Sequence, residues 1–590
     1  MTTSRARPSP RALSLAASIG WRHATADPVR ALLLAWRVLP GPLRGWLRFA
    51  GPYGRATVLW GAGERDTALA ALAASPKHLA AFALAADQPE SAAAALARLP
   101  EPHRARPVLA ARLAWQQGRL TEALETLDGA RGTRARRLRA ALAAEKVGQP
   151  MIMASLGQIT SISGHDHEPG SRGREGRGER PWGPVPGRVL HLVTDALPTT
   201  SAGYTIRTHE IALAQREAGL DPHVATRCGY PVTQGRIDGR RLVVLDGVPY
   251  HRLLPWRMPG RADADAKTSL ELAAALTSRI RPAVLHAASN FANARLALAL
   301  RERYGLPVVY EVRGFWEDTW LSRHPDAAQR AGSELYQRNR DLETWCMHAA
   351  DLVVTLGEAM REEIVARGVP AEKVLIVPNA VSQEFLTPLP DASELRSELG
   401  IDPGEHVVGV VSTLAPHEGT GTLLQATAIL RARGVPARAL IVGDGPERAA
   451  LQRQAAAIGL AEAAVFTGRV PAARVRQFHA LLDIFVVPRT PDRVCQLVTP
   501  LKPVEAMASG LCVVTSEVKA LTEIVKHEVT GVQTIPQDPV SLADCLERLI
   551  YSPDIRRKLG DNAREWVARD RTWAHNADRY RDAYARLGAT

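Results

Sequence analysis

Two successive series of short apolar runs, rich in valine and isoleucine, fill residues 188–590, and each run is followed by a helix-length stretch. The first series reads RVLHLV, PHVAT, RLVVL, AVLHAA, PVVYE, DLVVT and VLIVP. The second, from His406, reads HVVGVV, ARALIV, AAVFTG, IFVV, CVVTS and GVQT. Runs this short and apolar are strands buried on both faces, and strands that alternate with helices form a parallel sheet. The pattern predicts two doubly wound, Rossmann-like domains, at residues 188–385 and 386–590. Ligands of such sheets bind at the carboxyl ends of the strands, so the cleft between the halves is the expected site. The closing helices, DPVSLADCLERLIYS and RRKLGDNAREWVARD onward, are long enough to cross back and brace the first half.

Upstream the texture is different. Residues 56–150 are rich in Ala, Leu and Arg at helical spacing, and AWQQGRLTEALETLDGA resembles a helical hairpin of the tetratricopeptide type. Residues 151–187 are rich in Gly, Arg and Pro and read as a linker; the HDH triplet within it, residues 165–167, is read as polar filler, not a metal tract. The fold class is thus α/β, two Rossmann-like domains preceded by an all-α, helical-repeat-like domain.

Charge is concentrated at the front. Residues 1–150 hold 22 Lys/Arg against 10 Asp/Glu, most of the chain's net +13. Within residues 1–55, a basic amphipathic segment, PVRALLLAWRVLPGPLRGWLRFA mixes Leu, Trp and Phe with arginine. This composition suits an anionic membrane surface, and equally a basic helix pair packed on the domain behind it. No nucleic-acid module accompanies the charge, so nucleic acid is not the expected partner. Five scattered cysteines without a CxxC pair argue against a disulfide framework or structural zinc, and no apolar run reaches the roughly 18 residues of a membrane span. The expectation is a cytoplasmic protein, membrane-associated on the cytoplasmic face if the basic segment binds lipid.

SAGYTIRTHEIA, VPNAVSQEF, GDGPERAALQ, VFTGRVP and VEAMASGLCVVTSEVKALTEIVKHEVTG, in this order over 188–585, resemble the retaining glycosyltransferases of the GT-B fold, family 4 type, and TPLKPVEAMASG resembles a subgroup with a PLKP loop. The resemblance implies transfer of a sugar from a nucleotide diphosphate, UDP- or GDP-linked, to a polysaccharide or lipid-linked acceptor, with retention at the anomeric carbon. It implies no metal and no cofactor beyond the nucleotide sugar. The DAD triplet Asp263–Asp265 lies in a polar loop before a helix and is discounted as a metal motif.

Glu505 matches the second glutamate of the family's E-x7-E motif, which accepts hydrogen bonds from the nucleotide ribose. The first falls at Leu497, which can neither accept a hydrogen bond nor carry charge. The family's Arg and Lys, which neutralise the diphosphate, are also displaced: STLAPHEGTG puts Thr413 and Glu418 near their positions. Two negative charges left unpaired in a cleft would cost several kcal/mol, so cations must come from elsewhere. Arg489 and Lys502 are the expected replacements, and with Glu505 they form the expected catalytic set. Gly203, Thr413, Gly445 and Thr499 complete the donor site. On the acceptor side Arg207, His286, Arg313 and Glu317 are the candidates, with Glu311 and Asp318 as neighbouring carboxylates. A second reading is a nucleotide-sugar-binding or scaffold protein without activity, whose signature would be the missing glutamate and displaced cations.

Overall fold

A computed structural model describes residues 9–39, 41–146, 182–260, 262–324 and 326–590. The linker lies largely outside these, and so does its HDH triplet.

The first half is an eight-stranded sheet of β1 (Arg188–Val193), β2 (Asp221–Thr226), β3 (Leu242–Leu245), β4 (Val248–Arg252), β5 (Val284–Ala288), β6 (Val308–Glu311), β7 (Leu352–Thr355) and β8 (Val374–Ile376). Its order is β3-β4-β2-β1-β5-β6-β7-β8. Every pairing is parallel except β3 with β4, a hairpin that the apolar pattern does not predict. Asp246 and Gly247 turn it, both at positive φ. Asp-Gly favours this turn because only such residues enter the left-handed region at low cost.

The second half is a six-stranded parallel sheet: β9 (His406–Val411), β10 (Ala437–Val442), β11 (Ala464–Gly468), β12 (Ile484–Val487), β13 (Cys512–Ser516) and β14 (Val532–Thr534), ordered β11-β10-β9-β12-β13-β14. Two parallel α/β domains behind an all-helical region are the architecture the apolar pattern predicts. The last helix, Trp573–Arg586, lies on helix Gly203–Glu217 and buries Trp573, Ala577, Tyr580 and Tyr584 in the core of the first half beside Val189, Val284 and Val309.

The helical region runs from Pro10 to Lys146. Its first helix, Pro10–Ala26, packs Ala12 and Leu15 against Val232 and Leu254 of the first half. The second, Pro28–Val38, turns Val29 and Leu33 into a cluster with Ala56, Leu72 and Phe82. Its apolar face is thus used within the protein. Leu43, Trp46 and Phe49 beyond it stay exposed. Among the described residues no helix is long and apolar enough to cross a membrane.

Candidate active site

The carboxyl ends of β9 and β12 meet the loop that leads into helix Lys502–Ala508. Ser412, Glu418, Pro488, Pro500 and Lys502 enclose a pocket of about 20 Å³ there, room for about one water. Gly419 brings the walls together. Its φ is +67°, and a Cβ on it would stand 1.9 Å from the Pro488 carbonyl oxygen, so only glycine fits. Gly445 serves the same end: a Cβ there would lie 2.2 Å from the Leu414 carbonyl oxygen. Thr413 is exposed at the rim.

The cations expected at this pocket are present, and each is paired. Arg489 donates from Nη2 to Glu418 Oε1 at 2.8 Å and from Nη1 to the Val498 carbonyl at 2.9 Å. Burial disfavours both charges, but each group more than offsets this for the other: Arg489 stays protonated and the Glu418 carboxyl is held below its ordinary range. Lys502 Nζ lies 3.1 Å from Glu505 Oε2, one turn along the helix. The Thr499 carbonyl accepts a bond from Asn379 Nδ2 of the first half at 2.9 Å, while its buried hydroxyl finds no partner among the described residues.

Leu497 has a structural reason. Helix Arg493–Leu497 lies against the first half, and Leu497 enters that half's core beside Val312, Phe315, Leu356 and Met360. A carboxylate there would be buried among carbon. Arg493 fixes the same helix by ion pairs to Asp318 (3.1 Å) and Glu363 (2.7 Å). Glu523 of the second half accepts bonds from the Glu358 and Ala359 backbone N–H groups at the start of helix Glu358–Ala366 (2.8 and 2.6 Å). The two halves are therefore latched along one edge of the cleft.

In the first half the structure gathers Arg207, His286 and Arg313 around Glu311. Arg207 reaches Glu311 Oε1 from Nε and Nη2 (2.8 and 2.7 Å), the Val377 and Pro378 carbonyls (2.7 and 2.9 Å) and Asn379 Oδ1 (3.2 Å). It is buried, with its N–H groups directed at protein acceptors. Arg313 Nη2 meets Glu311 Oε2 at 2.6 Å, and its Nη1 donates to Thr208 and to the Tyr204 carbonyl. His286 stands between Glu311 Oε2 (3.1 Å) and the Tyr584 hydroxyl (2.6 Å), and the Tyr580 hydroxyl donates to Glu311 Oε1. Burial would raise the Glu311 carboxyl, but Arg313, Arg207 and His286 hold it well below the ordinary range. Burial lowers His286, which is neutral at physiological pH. Glu317 points away from this group and is buried on Arg367 Nη1 at 2.7 Å.

Gly203 opens helix Gly203–Glu217, exposed and with open space where a Cβ would be. On the same helix Glu210, which the sequence does not single out, faces the second half. Burial, then the charges of Glu384 and Glu505, push its carboxyl up to about 7. Glu505 is thus felt across the cleft by the helix that follows β1. Among the described residues no group of three or more His, Cys, Asp or Glu is placed to hold a metal, and Asp265 of the DAD triplet pairs with Arg22 at 2.7 Å.

Comparison with known proteins matches residues 202–380 to the glycosyl transferase 4-like domain and residues 391–566 to glycosyl transferases group 1. A D-inositol 3-phosphate glycosyltransferase of Nocardia farcinica is 28% identical over 295 residues, 48% of this chain and 62% of that protein. An alpha-D-kanosaminyltransferase of Streptomyces kanamyceticus is 23% identical over 68% of this chain and its own full length. Among solved structures, sucrose-phosphate synthase of Thermosynechococcus elongatus superimposes with a TM-score of 0.57 at 20% identity, over 68% of this chain and 99% of that one, a likeness of fold.

Proposed function

We propose that this chain, which carries the paired domains of a group 1 glycosyltransferase, transfers a sugar from a nucleotide diphosphate donor to a hydroxyl of a glycan or lipid-linked acceptor, with retention at the anomeric carbon. The observation that carries this reading is the grouping of Arg489, Thr499, Lys502 and Glu505 at the carboxyl ends of β9 and β12, opposite helix Gly203–Glu217. In it Glu505 takes the ribose hydroxyls of a UDP- or GDP-linked donor. Lys502, released from Glu505, and Arg489, released from Glu418, take the diphosphate oxygens. The bond from the sugar's anomeric carbon to the diphosphate breaks as the bond to the acceptor oxygen forms on the same face, and a diphosphate oxygen accepts the acceptor's proton. Fixed charges in a site that excludes water favour the separated charges of that transition state. The protein works in the cytoplasm, and Leu43, Trp46 and Phe49, beside Arg44 and Arg48, are its contact with an anionic membrane face.

One observation favours the scaffold reading instead: both cations are already matched by carboxylates. Incubation with UDP- and GDP-sugars separates the two. A transferase releases free nucleotide, slowly without acceptor, and Glu505→Gln abolishes donor binding. Tight donor binding with no nucleotide release under any acceptor would favour the scaffold, and no donor binding at all would end both.

A further inference from the structure

A large cavity lies away from the donor pocket. The helical region is clamped to the first half at two places. Helix Pro10–Ala26 sits on Val232 and Leu254. Farther on, Arg330 Nη1 donates to the Gln116 carbonyl at 2.6 Å and the Leu335 N–H to the Gly118 carbonyl at 3.0 Å. Between the clamps a chamber of about 2400 Å³ remains. Small-molecule pockets measure about 300–1,000 Å³, so the space is that of a polymer segment.

Its lining is unbalanced. Among the described residues thirteen Lys or Arg side chains line it and two carboxylates, Asp27 and Glu145. Both acids are committed, Asp27 to Arg112 at 2.5 Å and Glu145 to Arg338 at 3.7 Å. Arg295, beside Arg338, has no acidic partner among the described residues, and its buried Nε has no acceptor. Three of the thirteen are paired, Arg22 with Asp265, Arg112 with Asp27 and Arg338 with Glu145, and the excess of cations that remains calls for an anion. The thirteen are contributed by segments at 22–30, 77, 104–112, 131–137, 257, 295 and 323–338, so they follow the chamber's length. A single diphosphate head would need them at one end. Trp21, Trp115, Trp316 and Trp320 add flat apolar faces with an N–H at one edge.

The chamber also touches the right strands. Phe291 and Arg295 follow β5, and Trp316, Trp320 and Arg323 follow β6, so the chamber borders the carboxyl ends of two central strands of the first sheet. From there Ser322 lies 3.5 Å from His417, the neighbour of Glu418.

We infer that this chamber holds an anionic glycan, a chain bearing carboxylate, sulfate or phosphate groups on successive sugars, and feeds its end to the cleft as the acceptor. The helical region is then the roof of an acceptor tunnel. The inference rests on the transferase reading for its glycan identity; the polyanion site itself is independent of it.

The test uses the full-length chain and three probes, oligogalacturonate, neutral dextran of equal length and poly(U) RNA, followed by tryptophan fluorescence and calorimetry. Oligogalacturonate should bind with an affinity that falls steeply with salt, should quench tryptophan, and should exceed dextran. Arg134→Gln with Arg137→Gln, both exposed on the chamber wall, should weaken it about tenfold, and adding Arg295→Gln should weaken it further. Trp316→Ala should remove part of the quenching. Equal binding of dextran, affinity untouched by the exposed double variant, or tighter binding of poly(U) would each overturn the inference. UDP- and GDP-sugar binding is measured on the same samples. If donor binding survives and polyanion binding is absent, the chamber assignment alone fails. If polyanion binding appears without donor binding, the transferase reading fails and so does the acceptor role.

Discussion

The two halves share an architecture and balance their buried charge in opposite ways. In the first half one carboxylate, Glu311, holds two guanidinium groups, Arg207 and Arg313, with Tyr580 and His286 filling its remaining positions. In the second half the two cations beside the pocket each have their own acid, Arg489 with Glu418 and Lys502 with Glu505. The first arrangement draws on four separate parts of the chain, helix Gly203–Glu217, β5, the end of β6 and the C-terminal helix, so its groups cannot exchange partners without unpacking the fold. The second consists of two separate pairs at a pocket wall, each a single cation on a single carboxylate, so an incoming anion can replace a carboxylate. Charge of the first kind builds structure; charge of the second kind is available to a ligand.

The sharpest way to break this contrast is Glu311→Gln. The amide keeps the shape and removes the charge, leaving two buried guanidinium groups without a counter-ion. The expected loss is about 3–5 kcal/mol of stability, read by urea unfolding. A loss under about 1 kcal/mol would show that the carboxylate is no more structural than those of the second half.

Leu497→Glu comes next. It places a carboxylate at this position and buries it in the core of the first half. The latch at Arg493 and Leu497 should fail, at a cost of about 2–4 kcal/mol to the docked state, seen as faster proteolysis of the loop at 489–501. Unchanged proteolysis would mean that the leucine does not hold the halves together.

Glu418→Gln tests the exchangeable side. It frees Arg489 from its competitor while the bond to the Val498 carbonyl remains. Affinity for nucleoside diphosphates should rise about tenfold, about 1.4 kcal/mol, by calorimetry. An unchanged affinity would place Arg489 among the structural cations and erase the difference between the halves.

The same contrast divides what the chain reveals before folding. Among the described residues thirteen of the fourteen strands are legible because their apolar residues are contiguous. β4, VPYHR, is not, since proline and three polar or amphipathic side chains mask it, although the Asp246–Gly247 turn before it marks a hairpin. At the site, Arg489, Lys502 and Glu505 are readable from motif spacing. Their pairing is not, because Glu418 and Arg489 are 71 residues apart and meet only when β9 and β12 lie side by side. Arg207 reads as a cleft residue one turn along its helix. That its partner, Glu311, stands 104 residues away beneath a C-terminal helix is a matter of topology. Leu497 reads as a loss until the core it enters is known.

Glu210 gives the smallest effect and the finest comparison, because it belongs to the first half and responds to the charge of the second. Its carboxyl titrates at about 7 in the folded chain, raised by burial and by Glu384 and Glu505, against an ordinary value near 4.5. Between those values the folded chain keeps a proton that the unfolded chain has released. Stability from this group is therefore full at low pH and falls as pH rises toward 7, then levels. Glu343, also raised to about 7 by burial, acts in the same direction. Comparing wild type with Glu210→Gln at pH 5 and pH 8 cancels that background. The wild type should lose more of its urea midpoint between the two values than the variant, and Glu505→Gln should shrink the wild-type loss, since it removes one of the charges that raise Glu210. If Glu505→Gln leaves the loss intact, the charge of Glu505 does not reach Glu210 across the cleft.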